Sequence, residues 1–140
     1  MSFANDSASS EQGIAGQNTV LIVEDDVATR RLYKFLLTNG GYNVVEAEDG
    51  VVALEQLEKH RCQLIITDMN MPRMDGLQLI KKIREHYSTI HIIVITAFGT
   101  PDTERQALRF GANDYLPKPF DFEELERRVH TALETRTKER

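Results

Sequence analysis

Four runs in this chain that read as strands end in side chains that can handle charge. Val20-Leu21-Ile22-Val23 runs into Glu24-Asp25-Asp26, and Leu64-Ile65-Ile66 into Thr67-Asp68. Ile92-Ile93-Val94-Ile95 ends in Thr96, and Asp114 to Pro117 leads to Lys118-Pro119. Three carboxylates brought together do not all ionise comfortably unless a cation sits among them. An all-oxygen site with room for water suits magnesium, with Asp25 and Asp68 as direct ligands and Glu24 acting through a water. The backbone carbonyl of Asn70 could add a further oxygen. A lysine and a hydroxyl beside them would neutralise and hydrogen-bond the oxygens of a transferring phosphoryl group. Singly, Asp68 could cap a strand end, Thr96 be a strand residue and Lys118 a surface charge. Four such groups at four strand ends favour one shared site.

The elements that must position them alternate. Short continuous apolar runs suit strands covered on both faces, here near residues 20–23, 42–47, 64–67, 91–96 and 114–117. Helical spacing predicts helices over 28–39, 50–60 and 76–87, then one from Thr100-Pro101 to just before Gly111, and a last one from Asp121. Asp49, Thr100 and Asp121 stand as helix starts, Pro101 at a first helical position and Gly40-Gly41 as a stop. In the first helix, Leu32, Phe35 and Leu36 are expected to line the buried face, with Arg30, Arg31 and Lys34 in water. Strands joined by single helices make a parallel sheet with helices on both faces. The common five-stranded order is 2-1-3-4-5, with its ligand crevice between strands one and three. That crevice is where Glu24, Asp25 and Asp68 would meet. Asp75-Gly76, after the stiff Pro72, reads as a turn into the third helix.

At 140 residues the chain is one domain, long enough to bury a core. Residues 1–18 are polar and small and are expected to be a disordered tail. Residues 137–140 are charged and expected to fray, part of a charged end starting at Glu134. The net charge of -5 argues against a non-specific nucleic-acid surface. No stretch reaches membrane-spanning length and no secretory signal opens the chain. Cys62 is the only cysteine, which excludes an internal disulfide and fits a reducing cytoplasm. His60, His86, His91 and His130 share no ligand spacing. Arg30, Arg31, Arg127 and Arg128 read as solvated helix faces. Met69, Met71 and Met74 read as packing around their loop.

The segments Val-Leu-Ile-Val-Glu-Asp-Asp, Thr-Asp-Met-Asn-Met-Pro-Arg-Met-Asp-Gly, Val-Ile-Thr-Ala and Asp-Tyr-Leu-Pro-Lys-Pro-Phe, in this order and spacing, resemble the receiver domain of two-component response regulators. The resemblance covers residues 19–136. It extends to single-domain chemotaxis and sporulation regulators and, most closely, to receivers attached to sigma-54-dependent (NtrC-like) activators. It implies a flavodoxin-like (CheY-like) fold and a phosphoacceptor at Asp68. Glu24, Asp25, Asp68 and the Asn70 carbonyl would hold Mg2+ or Mn2+. Thr96 and Lys118 would contact the phosphoryl group, Tyr115 would be the aromatic switch, and Pro119 would follow a cis peptide bond. The implied partners are a sensor histidine kinase or histidine phosphotransfer protein and a downstream target or effector domain, with scope for a phosphorylation-dependent homodimer. Direct nucleic-acid or membrane binding is not implied. The expected switch surface is the fourth helix, fifth strand and fifth helix.

Haloacid-dehalogenase-type phosphohydrolases use a similar set but need a second Asp two positions after the nucleophile as proton carrier. Asn70 stands there, so a signalling switch with at most slow autophosphatase activity is expected rather than an enzyme. A flavin-binding electron carrier of this architecture is disfavoured, because no phosphate-binding loop follows Val23. Phe98, two positions after Thr96, is expected to shield an acyl phosphate from water.

Overall fold

The computed structural model describes residues 18–138. The elements alternate as β1 (Thr19–Val23), α1 (Val27–Asn39), β2 (Asn43–Ala47), α2 (Gly50–Lys59), β3 (Leu64–Asp68), α3 (Gly76–His86), β4 (His91–Thr96), α4 (Pro101–Phe110), β5 (Asp114–Pro117) and α5 (Phe122–Lys138). The five strands are all parallel, in the order β2-β1-β3-β4-β5. The expectations of a tail over 1–18 and of a frayed end lie, for residues 1–17 and 139–140, outside the described residues. The backbone of α5 remains helical through Lys138, past Glu134 where its charge first suggests fraying.

Alternation along each strand divides the core. Leu21, Val23, Ile65, Ile92 and Val94 pack on one face with Ala53, Leu57, Leu79, Ile80, Ile83 and Ala107, so α2, α3 and α4 cover that side. Val20, Ile22, Ile66, Ile93 and Ile95 pack on the other with Tyr33, Leu37, Leu125 and Val129 from α1 and α5. Sliding β3 by one residue would send every one of its side chains to the opposite layer, so burial on both faces fixes the register.

The helix starts follow their local chemistry. Asp49 caps α2 by accepting from the Val52 N–H, and Thr100 caps α4 with Thr103 bonding back and Pro101 opening the first turn. Asp75 is more than a turn residue. Its carboxylate accepts from the Gln78 N–H while the Gln78 side chain accepts from the Asp75 N–H, a reciprocal cap on α3. At α5 it is the Asp121 carbonyl that accepts, from the Glu124 and Leu125 N–H groups.

In α1 the expected phase is wrong. Leu32 is 53% and Phe35 62% exposed, while Tyr33 and Leu37 are buried. Apolar residues nearly encircle this helix, so periodicity alone leaves two stripes. Arg30 decides between them. It donates from Nη1 to the Glu24 carbonyl at 2.7 Å and from Nε to Glu46 at 3.1 Å. Residues 30, 33 and 37 therefore face the sheet. Arg30 is thus not a solvated face, and neither is Arg128, which pairs with Asp114 and Glu124. Met69 is buried and Met71 and Met74 pack against the core as expected.

Candidate functional site

The crevice lies where strand order reverses, between β1 and β3, at the carboxyl edge of the sheet. Register brings the groups there: Val23 pairs with Thr67, Asp68 with Ile95, and Thr96 with Pro117. Three bonds carry the alignment one residue further. The Glu24 N–H donates to the Ala47 carbonyl at 3.1 Å, Met69 N–H to Ile95 at 3.2 Å and Lys118 N–H to Thr96 at 2.8 Å. The strand ends are thereby held in line by backbone, and their side chains share one rim.

Glu24, Asp25 and Asp68 each offer an oxygen within 4.8 Å of the others. Glu24 and Asp68 are buried, and Asp25 is exposed. Lys118 reaches across from β5, its Nζ 3.3 Å from Asp68 Oδ2 and 3.6 Å from Glu24 Oε1. Burial alone would lower the Lys118 ammonium, but the Asp68 and Glu24 carboxylates outweigh it and its pKa is raised. Glu24 shifts the other way in meaning. Burial dominates and raises its pKa, with Asp68 and Asp25 adding to the rise, against the Asp26 N–H and Lys118. Glu24 sits 3% exposed, deeper than the ammonium that faces it, so desolvation decides for the carboxylate.

The Glu24 oxygens differ. Oε2 accepts from the Asp26 N–H at 3.0 Å, whereas among the described residues no hydrogen bond reaches buried Oε1. A buried anionic oxygen without a donor is costly, and a divalent cation is the partner that its surroundings fit. The donor set is all oxygen, carries three carboxylates and is open to solvent at Asp25, the pattern of a hard cation that keeps several waters.

Thr96 is 1% exposed at the end of β4. Its Oγ1 accepts from Asn70 Nδ2 at 3.3 Å and from the Phe98 N–H at 3.2 Å. Asn70 also donates its backbone N–H to Asp68 Oδ1 at 3.2 Å. Asn70 therefore joins the hydroxyl to the carboxylate, a role its sequence position did not suggest. Phe98 is 80% exposed, so packing does not hold its ring over Asp68 as a shield. The Lys118–Pro119 peptide is cis. Tyr115 is half-buried, with its hydroxyl 3.4 Å from Thr103 Oγ1. A Cβ on Gly99 would collide with that hydroxyl and approach Thr96 Cγ2 to 2.9 Å, so Tyr115 abuts the loop that follows Thr96.

Sequence reasoning missed two further contributors. Arg30 holds the Glu24 carbonyl, and its only signal is a cation four residues after the helix-capping Asp26. Arg73 pairs with the buried carboxylate of Asp49 at 2.6 Å, a contact between distant loops that no local pattern signals. Cys62 stands apart from the site, buried, with its thiol pushed up to about 11 by that burial.

Comparison with known proteins agrees with this geometry. The family model described as the response regulator receiver domain matches residues 20–130. The chain is 41% identical over 119 residues to the response regulator MprA of Mycobacterium leprae, covering 85% of this chain and 52% of that protein. It is 38% identical over 120 residues to the transcriptional regulatory protein ZraR of Salmonella typhimurium, covering 86% of this chain and 27% of that one. It thus spans only a quarter to a half of these curated relatives. Among solved structures, Vibrio cholerae chemotaxis protein CheY4 superposes with a TM-score of 0.78 at 32% identity, over 82% of this chain and 98% of that one. A CheY-like receiver domain protein from Methanospirillum hungatei gives 0.85 at 27% identity, over 88% and 98%. With its five parallel strands in receiver order and the family match across most of its length, the chain belongs to the response regulator receiver domain family.

Proposed function

We propose that this receiver domain accepts a phosphoryl group on Asp68 in a reaction that depends on a divalent cation, and that the modified domain signals through a changed surface. One observation carries the reading most. Asp68, at the switch point, lies against the Lys118 ammonium and within a carboxylate cluster that contains an undonated buried oxygen. Glu24, Asp25, Asp68 and the Asn70 backbone carbonyl would hold Mg2+ or Mn2+. When bound, the cation neutralises charge on the phosphoryl oxygens.

The chain's own residues do the rest. An Asp68 carboxylate oxygen attacks phosphorus, forming an O–P bond as the P–N bond of a donor phosphohistidine breaks. The imidazole leaves with the electron pair and takes its proton from solvent. Lys118 keeps its charge across the physiological range, which its raised pKa favours, and balances the oxygens that remain on phosphorus. Thr96 can turn its hydroxyl to donate to one of them, giving up its bonds from Asn70 and Phe98. Asn70 supplies no carboxylate for general-base attack by water, so return to the free carboxylate is at most a slow autophosphatase activity.

The donor is proposed to be a sensor histidine kinase or histidine phosphotransfer protein in the cytoplasm. Among the described residues no helix is long and apolar enough to cross a membrane. A groove of about 690 Å³, lined by Leu32, Tyr33, Leu36, Lys118, Pro119 and Phe120, opens beside the Asp68 partner Lys118. Exposed Leu32 on its wall gives a helical donor an apolar seat within reach of the acceptor. Output runs through α4, β5 and α5 to an effector domain, a protein target or a second copy. We propose residues 19–136 as the functional receiver unit.

Incubation with acetyl phosphate and Mg2+ separates this from hydrolysis. The expected product is one acid-labile phosphoryl group per chain. Sustained release of phosphate from phosphate esters would contradict the reading.

A further inference from the structure

The loop from β3 to α3 carries Asn70, and its conformation is held from outside. Arg73 has φ +68, and it is the one non-glycine residue with positive φ among the described residues. An arginine adopts that region only where its surroundings over-determine it. The surroundings are the start of α2. Asp49 is 3% exposed, and its two oxygens have separate duties. Oδ1 accepts from the Val52 N–H at 2.9 Å and caps α2. Oδ2 accepts from Arg73 Nε at 2.8 Å and lies 2.6 Å from Nη2.

A second contact lies alongside. A Cβ on Gly50 would come within 2.9 Å of Met74 Sδ and 3.0 Å of Met74 Cβ, so the loop sits directly on the first residue of α2. The inner end of the loop is closed by the Gly76 N–H on the Met69 carbonyl at 2.8 Å. The other side of the crevice reaches the same anchor. Glu24 donates its N–H to Ala47, two residues before Asp49. Asp49 therefore joins, through a short path, the acidic end of β1 to the loop that presents Asn70. Capping alone would need one oxygen of Asp49 and no burial of a second. The charge and the unusual backbone of Arg73 are explained together if the loop must be held in one position.

We propose that Asp49 and Arg73 are positioning residues for the divalent cation, their ion pair fixing the Asn70 carbonyl relative to Glu24, Asp25 and Asp68. The proposal rests on the cation reading given above. Groups that orient metal ligands from behind commonly change affinity about 10- to 100-fold when removed.

The test is Mn2+ binding to the full chain, followed by the loss of the free-ion electron spin resonance signal. Asp49→Asn keeps a good helix cap and removes the charge. Arg73→Gly removes the guanidinium and makes positive φ easy. Urea midpoints taken without cation check that both are folded. The Mn2+ dissociation constant is expected to rise about tenfold in each. Arg73→Lys, with charge but no fork, should recover part of the loss. The double variant should bind no worse than either single one, since both break the same pair. In acetyl phosphate labelling, the half-saturating Mg2+ concentration should rise by a similar factor, and the rate at saturating Mg2+ should fall much less. Folded single variants that bind Mn2+ as tightly as the wild type, or losses that add in the double variant, would overturn the clamp alone. A wild-type chain that does not bind Mn2+, or binds it equally well after Asp25→Ala, would overturn the cation reading and the proposal with it.

Discussion

Glu24 is the residue in which stability and function pull apart. Its carboxylate is buried beside Asp68 and Asp25, and burial raises its pKa. For a carboxyl with a raised folded-state pKa, its contribution to stability is fully present below the unfolded pKa. It is lost as pH rises through the folded value. At neutral pH the ionised group is therefore a burden in the absence of cation. Glu24→Gln is expected to raise the melting temperature measured in chelator and to flatten its acid-side pH dependence. It should also remove much of the stabilisation given by added Mg2+, which for a ligand at 100 times its Kd amounts to about 2.7 kcal/mol. Calorimetry with and without Mg2+ checks both signs, and a variant less stable than the wild type in chelator would contradict the account. The chemistry-bearing residues of this rim were legible because each stands at the end of a run that reads as a strand. Asn70 was read from the sequence as a missing proton carrier and, through the resemblance, as a backbone ligand. Its side-chain bond to Thr96 depends on how a loop folds across β4, which local pattern does not encode.

At the scale of elements, β1, β3 and β4 were the easiest to read, since continuous apolar runs buried on both faces have few alternatives. Helix α1 was misread because seven of its thirteen residues are apolar, and the deciding contacts come from Arg30 to Glu24 and Glu46 across the fold. Asp49 was read as a cap, which it is, while its pairing with Arg73 was hidden by sequence distance. The two duties separate by substitution. Asp49→Ala removes the α2 cap and the ion pair and is expected to cost about 1 kcal/mol or more of unfolding free energy. Asp49→Asn should cost clearly less. Burial would raise the Asp49 pKa, but the Val52 N–H and Arg73 prevail and lower it, so its stabilisation is present above the unfolded pKa and lost as pH falls through the folded one. Urea titrations at neutral and acid pH check this. Equal midpoints for wild type and Asp49→Ala at neutral pH would refute it.

As a whole molecule the domain has, on the proposed function, two working surfaces around one rim. Donor approach is assigned to the groove beside α1, and output to α4, β5 and α5. Leu32→Ser with Leu36→Ser is expected to slow transfer from a histidine-phosphorylated donor by about tenfold, the effect of losing roughly 1.4 kcal/mol of docking. Labelling by acetyl phosphate, which needs no docking, should fall far less. Output requires a shift between two states, and moving a domain from mostly one to mostly the other takes about 5 kcal/mol of differential stabilisation. Phosphorylation adds charge and acceptor oxygens that Thr96 and Lys118 can meet. Tyr115 lies against Gly99 and Thr103, and on the proposed function it follows a movement of Thr96. Tyr115→Ala should accept the phosphoryl group normally and lose phosphorylation-dependent binding of the effector or second copy, as read by sedimentation of the phosphorylated chain with its partner. All of this depends on Asp68 being the acceptor, and intact-mass measurement after incubation with acetyl phosphate and Mg2+ tests that directly. The wild-type chain should gain one phosphoryl group, lost on adding chelator beforehand and absent in Asp68→Asn. An equal gain in wild type and Asp68→Asn would contradict the central claim.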